Sequence, residues 1–280
     1  MEIIETFLWI AIGMALAVPI TQAFCMRGER RRTDFLKSIY IQECLNSDKN
    51  VFVEKPLAIN MDEVDSVINS LKADSNLMVG FNRRFSPHID LVKNSINNDQ
   101  SVPLNVIINM NAGYISPEHW VHDLQIGGGR IIGEACHLID LCVFICGSKV
   151  ERICLNSLGN ESNKNTDNVS MLLKMKNGSN ASINYFSNGS THYSKERIEI
   201  YSQNRTWIID NYERTTGYGI PGFKNLKTKV DKGHKTQFQK YVHSIKKGSQ
   251  ELIPIDEIIN VTISSIKAID SFQKNKWIEI

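Results

Sequence analysis

Two short segments of this chain hold groups that could move a proton on and off a carbinol oxygen. Val51-Phe52-Val53-Glu54-Lys55-Pro56-Leu57 carries an ammonium, and Gly127-Gly128-Gly129 runs on to Glu134, His137 and Asp140. An ammonium can hold a reacting oxygen. A carboxylate can orient an imidazole, and an imidazole with an ordinary pKa of about 6.5 suits general acid–base work. Upstream, the first fifty residues contain two glycines, Gly13 and Gly28. No phosphate-cradling glycine loop therefore precedes Lys55.

The patterning says how these groups are held. Asn50 to Val53 is a short β-branched and aromatic run, read as a buried strand that ends at Glu54-Lys55-Pro56. Open α/β sheets bind ligands at that carboxyl edge. A helix ends near Asn46. Asn60 caps another through about Leu71, with Asp62 and Glu63 in its first turn. Leu77 to Phe81 is a second apolar strand, and Ser86-Pro87 opens a third helix. This rhythm predicts a parallel α/β layer. Gly129 to Cys146 reads as one helix, on which Glu134, His137 and Asp140 recur at i,i+3 and share a face. Cys142 and Cys146 read as buried thiols of that helix. The pattern then changes. Asn105–Tyr114, Arg152–Leu158, Val169–Met175, Ala181–Phe186, Arg197–Tyr201 and Thr206–Asp210 are strand runs separated by turns, which predicts a large, mainly antiparallel sheet. Closing helices are expected over Lys235–Lys246 and Asp256–Phe272 and should back the sheet.

The 280 residues suffice for one large or two modest domains. With 42% hydrophobic and 22% charged residues and a net charge of +2, the composition gives no reason to invoke nucleic acid. Six scattered cysteines make no disulfide framework and fit a reducing cytosol. Residues 7–24 are nearly all apolar and are followed by Arg27, Arg30, Arg31 and Arg32. Such a segment packs on the domain, which leaves the protein cytoplasmic, or anchors it in a membrane with the rest in the cytoplasm. His119 and His122 form an HxxH beside Glu118, but no third ligand stands at a fixed spacing, so no metal site is expected.

VFVEKPLAIN, then VGFNRRFSP, then GGGRIIGEACHLIDL, in this order, resemble the Gfo/Idh/MocA family of NAD(P)-dependent oxidoreductases, from about residue 38 to the C-terminus. The resemblance implies a Rossmann domain followed by a C-terminal α/β domain with a large open sheet. It also implies oxidation or reduction of a CH–OH group in a sugar, polyol or nucleotide sugar. By resemblance Lys55 contacts substrate and nicotinamide, with Glu54 and Pro56 beside it. Arg83 and Arg84 stand near the cofactor, and His137 is the catalytic histidine. Family members often carry an aspartate four residues before that histidine; this chain has Gly133 there, and the carboxylate role passes to Glu134. Trp120, His122 and Asp123 lie where substrate contacts are expected, with Asp140 further along the helix. The family's sheet implies a homo-oligomer.

The departure is upstream. The family's GxGxxG loop is missing ahead of Lys55. The one literal match, Gly217-Tyr218-Gly219-Ile220-Pro221-Gly222, contains Pro221 and leads into no apolar helix, so it reads as a flexible loop over the sheet. The expected division is an atypical segment over 1–35, a remnant of the dinucleotide domain over 36–99, and a substrate and oligomerisation domain over 100–280. The functional expectation is an oxidoreductase using NAD or NADP, truncated and inactive alone if no other chain supplies the nucleotide half. The alternative is a non-catalytic remnant, or a split-enzyme subunit, that binds or oligomerises.

Overall fold

The computed structural model describes residues 30–96, 102–159, 166–248 and 251–280, with side chains from residue 37 onward. The apolar segment at 7–24 lies outside the described residues. Among the described residues no helix is long and apolar enough to cross a membrane.

The first part alternates helix and strand. Helix α1 (Arg30–Asn46) leads to β1 (Val51–Val53), α2 (Met61–Ser70), β2 (Leu77–Val79), a 3-10 turn (Asn82–Phe85) and α3 (Pro87–Ser95). β1 and β2 pair in parallel, with Val51 opposite Leu77 and Val53 opposite Val79. Helix α2 starts where the sequence marks it. The Asn60 side chain accepts from the Glu63 amide at 2.9 Å, and the Glu63 carboxylate accepts from the Ile59 amide at 3.0 Å. Its apolar positions Val64 and Val67 are fully buried. Ser86 caps α3, with Pro87 at the tolerated first position.

The second part is one nine-stranded sheet. β3 (Asn105–Asn111) is followed by a π turn (Ile131–Ala135), α4 (Cys136–Cys146), then β4 (Val150–Ser157), β5 (Val169–Met175), β6 (Asn180–Phe186), β7 (Glu196–Ser202), β8 (Arg205–Asp210), β9 (Arg214–Tyr218) and β10 (Leu226–Lys227). Helices α5 (His234–Lys246) and α6 (Ile255–Lys274) and the short strand β11 (Ile278–Glu279) complete it. The strand order is β10-β9-β8-β7-β3-β6-β5-β4-β11. Only the central β3–β6 pair is parallel; every other neighbour is antiparallel. Alternation does the sorting. Val106, Ile108 and Met110 of β3 are buried on one phase, while Ile107 and Asn109 face the other way, half-exposed. Helices α4 and α6 pack together, and α6 lies along β4.

Three strands escaped the pattern. β10 and β11 have two residues each, and β9 (RTTGY) carries no apolar alternation. Gly217 and Tyr218, expected in a flexible loop, belong to β9 and pair with Trp207 and Thr206 of β8. The Phe223 ring packs so closely that a Cβ on Gly217 would come within 2.6 Å of it. Gly217 and Tyr218 are thus part of the sheet, while 219–222 form the turn that follows β9. The helix expected from Gly129 to Cys146 is present, helical from Gly129, with a π turn over Ile131–Ala135 before α4 (Cys136–Cys146). Cys142 and Cys146 are buried thiols in α4, as their apolar surroundings suggested.

The two parts meet at the 3-10 turn after β2. Arg83 donates from Nε and Nη2 to the two oxygens of Glu196 on β7, both at 2.8 Å. Arg84 Nε lies 2.9 Å from both oxygens of Asp140 on α4, and its Nη1 reaches Glu257 on α6 at 2.6 Å. The strap 231–233 closes over the same turn. Asn82 donates to the Lys232 carbonyl at 2.7 Å and Ser86 to the Asp231 carbonyl at 2.7 Å. Gly233 adopts φ +83°, and a Cβ there would stand 2.4 Å from the Phe85 carbonyl carbon, so only glycine fits. Removing one partner of a buried pair is costly, whereas replacing both with apolar groups of similar volume is not. Asp140→Ala should therefore lower unfolding free energy by about 3 kcal/mol in urea titration. Arg84→Met combined with Asp140→Leu should recover most of that loss. Equal loss in the single and double variants would show that the pair is not the source.

Candidate active site

The site is assembled at the carboxyl end of β1. The Lys55–Pro56 peptide is cis. The Lys55 ammonium donates to the Gly133 carbonyl at 2.7 Å, across seventy-eight positions of sequence. Gly133 lies in the π turn and His137 follows one turn later, so the ammonium and the imidazole come from one short stretch of helix and the strand end facing it. His137 is buried, and among the described residues its Nδ1 has no hydrogen-bond partner. Phe81, just after β2, meets the ring edge-on at a centroid distance of 6.0 Å. Burial, followed by the positive charges of Arg83, Lys55, His234 and Lys232, holds His137 well below the usual imidazole range. A neutral ring at neutral pH is the form that can accept a proton.

Glu134 does not orient His137. Its carboxylate turns the other way: Arg130 Nη2 donates to Oε2 at 3.1 Å, and the Tyr185 hydroxyl donates to the same oxygen. The wide π turn between positions 131 and 135 changes the angular spacing, so an i,i+3 interval no longer means one face. Arg83 and Arg84, expected near the cofactor, are committed to Glu196 and to Asp140 with Glu257. Asp140, expected to meet substrate, is fully buried under Arg84. A helix interior that apolar could not be told from a pocket wall by sequence, and here it is a pocket for a guanidinium from another element.

The loop before the glycines carries Trp120, His122 and Asp123. Trp120 is 40% exposed and its ring lies tilted against that of His119 at a centroid distance of 5.6 Å. His122 is buried. Asp123 organises the turn: its side chain accepts from the Gln125 amide at 2.9 Å, and its carbonyl accepts from Gly127 at 2.7 Å and Gly128 at 3.2 Å. Those two amides are therefore spent within the loop. Gly127 and Gly128 are required by close approach to their own chain: a Cβ on Gly127 would lie 2.8 Å from Val121 Cα, and one on Gly128 (φ +68°) 2.9 Å from Ile59. Among the described residues no group of three or more His, Cys, Asp or Glu is placed to hold a metal ion.

Sequence reasoning missed Glu196, Lys232 and His234. Glu196 had left a signal. It shares the inward phase of β7 with Ile198 and Ile200, and a carboxylate on an apolar phase calls for a buried cation. Lys232 and His234 left none, because only the strap over the 3-10 turn brings them near His137.

Residues 103–207 match the family model described as GFO/IDH/MocA C-terminal domain. Over those residues the chain is similar to the Gfo/Idh/MocA family. A myo-inositol 2-dehydrogenase of Thermotoga maritima is 27% identical over 179 residues, 62% of this chain and 53% of that protein. The chain thus spans about half the length of the first relatives it matches, 53% and 52%. Its fold is that of an oxidoreductase domain protein from Kribbella flavida (TM-score 0.74, 18% identity, 88% of this chain and 78% of the other). It is equally that of a levoglucosan dehydrogenase solved with NADH and levoglucosan (TM-score 0.74, 16% identity, the same shares).

Glu196 sets a pH dependence. Burial pushes its carboxyl up, but Arg83 and Lys232 outweigh burial and bring it down from 4.5 to about 2. A depressed carboxylate contributes stability above its unfolded pKa and loses it as pH falls through the folded value. Thermal stability of the intact chain should therefore fall between about pH 4.5 and 2, and Glu196→Gln should remove that part of the slope. A Gln variant with the parent's slope would contradict the assignment.

Proposed function

We propose that this chain belongs to an NAD(P)-dependent oxidoreductase acting on a CH–OH group of a sugar, polyol or nucleotide sugar. One observation carries the reading: the Lys55 ammonium, at the carboxyl edge of the parallel strands, bonds the Gly133 carbonyl in the turn just before the buried His137, and its charge helps keep that imidazole neutral. The names of the relatives point to polyols and sugars as the substrate class. Lys55, already engaged with a carbonyl, would exchange that partner for the substrate's reacting oxygen. His137 would take the hydroxyl proton as the carbonyl forms. A bound nicotinamide would supply the acceptor for the hydride leaving carbon. Glu54 and Pro56 flank Lys55 and would border that ring, while Arg83, through its pair with Glu196, fixes the field around His137 rather than touching the nucleotide.

The same reading divides the chain at about residues 35 and 99, and the two separate sheets support the second boundary. It also places a homo-oligomer contact on the open face of the nine-stranded sheet, where Leu172, Phe186 and Tyr201 are exposed. A second reading is binding without turnover, or turnover only with a nucleotide-binding partner chain. It is favoured by the lack of a GxGxxG loop ahead of β1.

NAD(P)H formation over a panel of sugars and polyols, with calorimetry of NAD(H), tests the first reading. His137→Ala and Lys55→Ala should each cut kcat about 10²- to 10⁴-fold without loss of folded structure by circular dichroism. If the parent protein neither turns over nor binds the nucleotide, the second reading replaces the first.

A further inference from the structure

We propose that His88 is the keeper of an acid-sensitive latch. As a neutral ring it fastens the segment 228–233 over the turn that carries Arg83 and Arg84. Protonation of the ring lets that segment go and takes the Lys232 ammonium away from Glu196. The chemistry described above leaves His88 unused. It is fully buried at the start of α3, and its two ring nitrogens reach two other elements. Nδ1 lies 2.7 Å from the Thr215 hydroxyl on β9, and Nε2 lies 2.8 Å from the Thr228 hydroxyl just after β10. The partners fix which nitrogen bears the proton. Thr228 has one hydroxyl proton and donates it to the Lys229 carbonyl at 2.6 Å. Towards His88 it can only accept, so Nε2 carries the hydrogen and Nδ1 accepts from Thr215.

A second proton has no place in this arrangement. It would enter at Nδ1, against the hydroxyl hydrogen of Thr215, which is itself fully buried and among the described residues has no other hydrogen-bond partner for its side chain. Burial holds the ring below the usual imidazole range, and the pull of Asp231 does not restore it. The Asp231 carboxylate is engaged with the Gly233 amide at 2.9 Å. The charged groups beside the ring's partners, Asp90 of α3, Arg214 of β9, Lys227 of β10 and Lys229, are exposed. The other ties on the segment do not titrate near neutral pH. Asn82 and Ser86 are neutral donors to the carbonyls of Lys232 and Asp231. Lys232 donates to Glu196, whose carboxyl stays ionised down to about 2. His234 follows the segment, but it is exposed and among the described residues its ring makes no hydrogen bond. A buried imidazole that must charge is a standard route to acid-driven opening.

The test is hydrogen–deuterium exchange of the full chain, read by mass spectrometry with the intrinsic exchange rate divided out at each pH. The amides of Thr228, Asp231 and Gly233 are bonded to the Glu213 carbonyl, the Tyr212 carbonyl and the Asp231 carboxylate, and should be protected near neutral pH. Because the folded ring's pKa is depressed, the stability it lends is whole above the unfolded value of about 6.5 and is lost as pH falls below it. Exchange of these amides should there rise about tenfold per pH unit, the slope of one proton taken up on opening, until the folded ring itself is protonated. His88→Gln, whose amide can donate to Thr228 and accept from Thr215, should keep the amides protected without that slope. His234→Gln should keep the parent's slope. If His88→Gln does not fold, NMR of the parent's ring nitrogens decides. A neutral Nε2–H tautomer that protonates as protection is lost supports the latch, and an Nδ1–H tautomer overturns it. Protection that does not change between about pH 7 and about pH 5 also overturns it, as does a slope that survives in folded His88→Gln or vanishes in His234→Gln. No nucleotide or substrate enters these measurements, so failure of the oxidoreductase reading leaves the latch standing.

Discussion

Two adjacent arginines on one turn hold this molecule together. Arg83 and Arg84 leave β2 pointing in different directions, one into a strand of the large sheet and the other into the helices behind it. Each guanidinium is almost completely buried and meets its carboxylate through both oxygens. A planar fork against a planar carboxylate tolerates little displacement. The small parallel layer is therefore registered against the large sheet to within the reach of a hydrogen bond. Geometry is the gain here more than stability. Burial pushes Asp140 up to about 6 even against the pull of Arg84, as expected where desolvation rivals the Coulomb attraction.

That registration has a chemical consequence. Arg83 and Lys232 share the single carboxylate of Glu196, and both stand close enough to His137 to disfavour its protonation. With Lys55 adding its charge, the imidazole sits in a positive surrounding and stays neutral. The clamp that docks the two layers is thus also what tunes the ring. The strap bearing Lys232 can lie there because Gly233 lets backbone touch backbone over Phe85 and Ser86.

The π turn is the other decisive feature. It places the Gly133 carbonyl under Lys55 and swings Glu134 toward Arg130 and Tyr185. Where the family pattern has an aspartate, this chain offers a peptide oxygen to the lysine and sets its carboxylate one position later, against a different partner. Glycine at 133 fits because a Cβ there would stand 2.9 Å from the Gly127 carbonyl.

The sequence by itself determined the elements and their order. Asn60 with Glu63, Ser86 with Pro87, and the β-branched alternation of β3 to β8 act over a few residues, and local chemistry is what a one-dimensional reading can see. It also determined that Lys55 ends a buried strand and that His137 lies in an apolar helix. Tertiary structure alone decided the partners of the charged groups. Arg83, Arg84 and Asp140 each satisfy a buried charge from an element far along the chain, and no spacing rule encodes which carboxylate a guanidinium will find; Glu134 pairs with Arg130 at i,i+4. The three missed strands have the same origin: β9, β10 and β11 are too short or too polar to announce themselves and exist because a sheet edge was there to pair with.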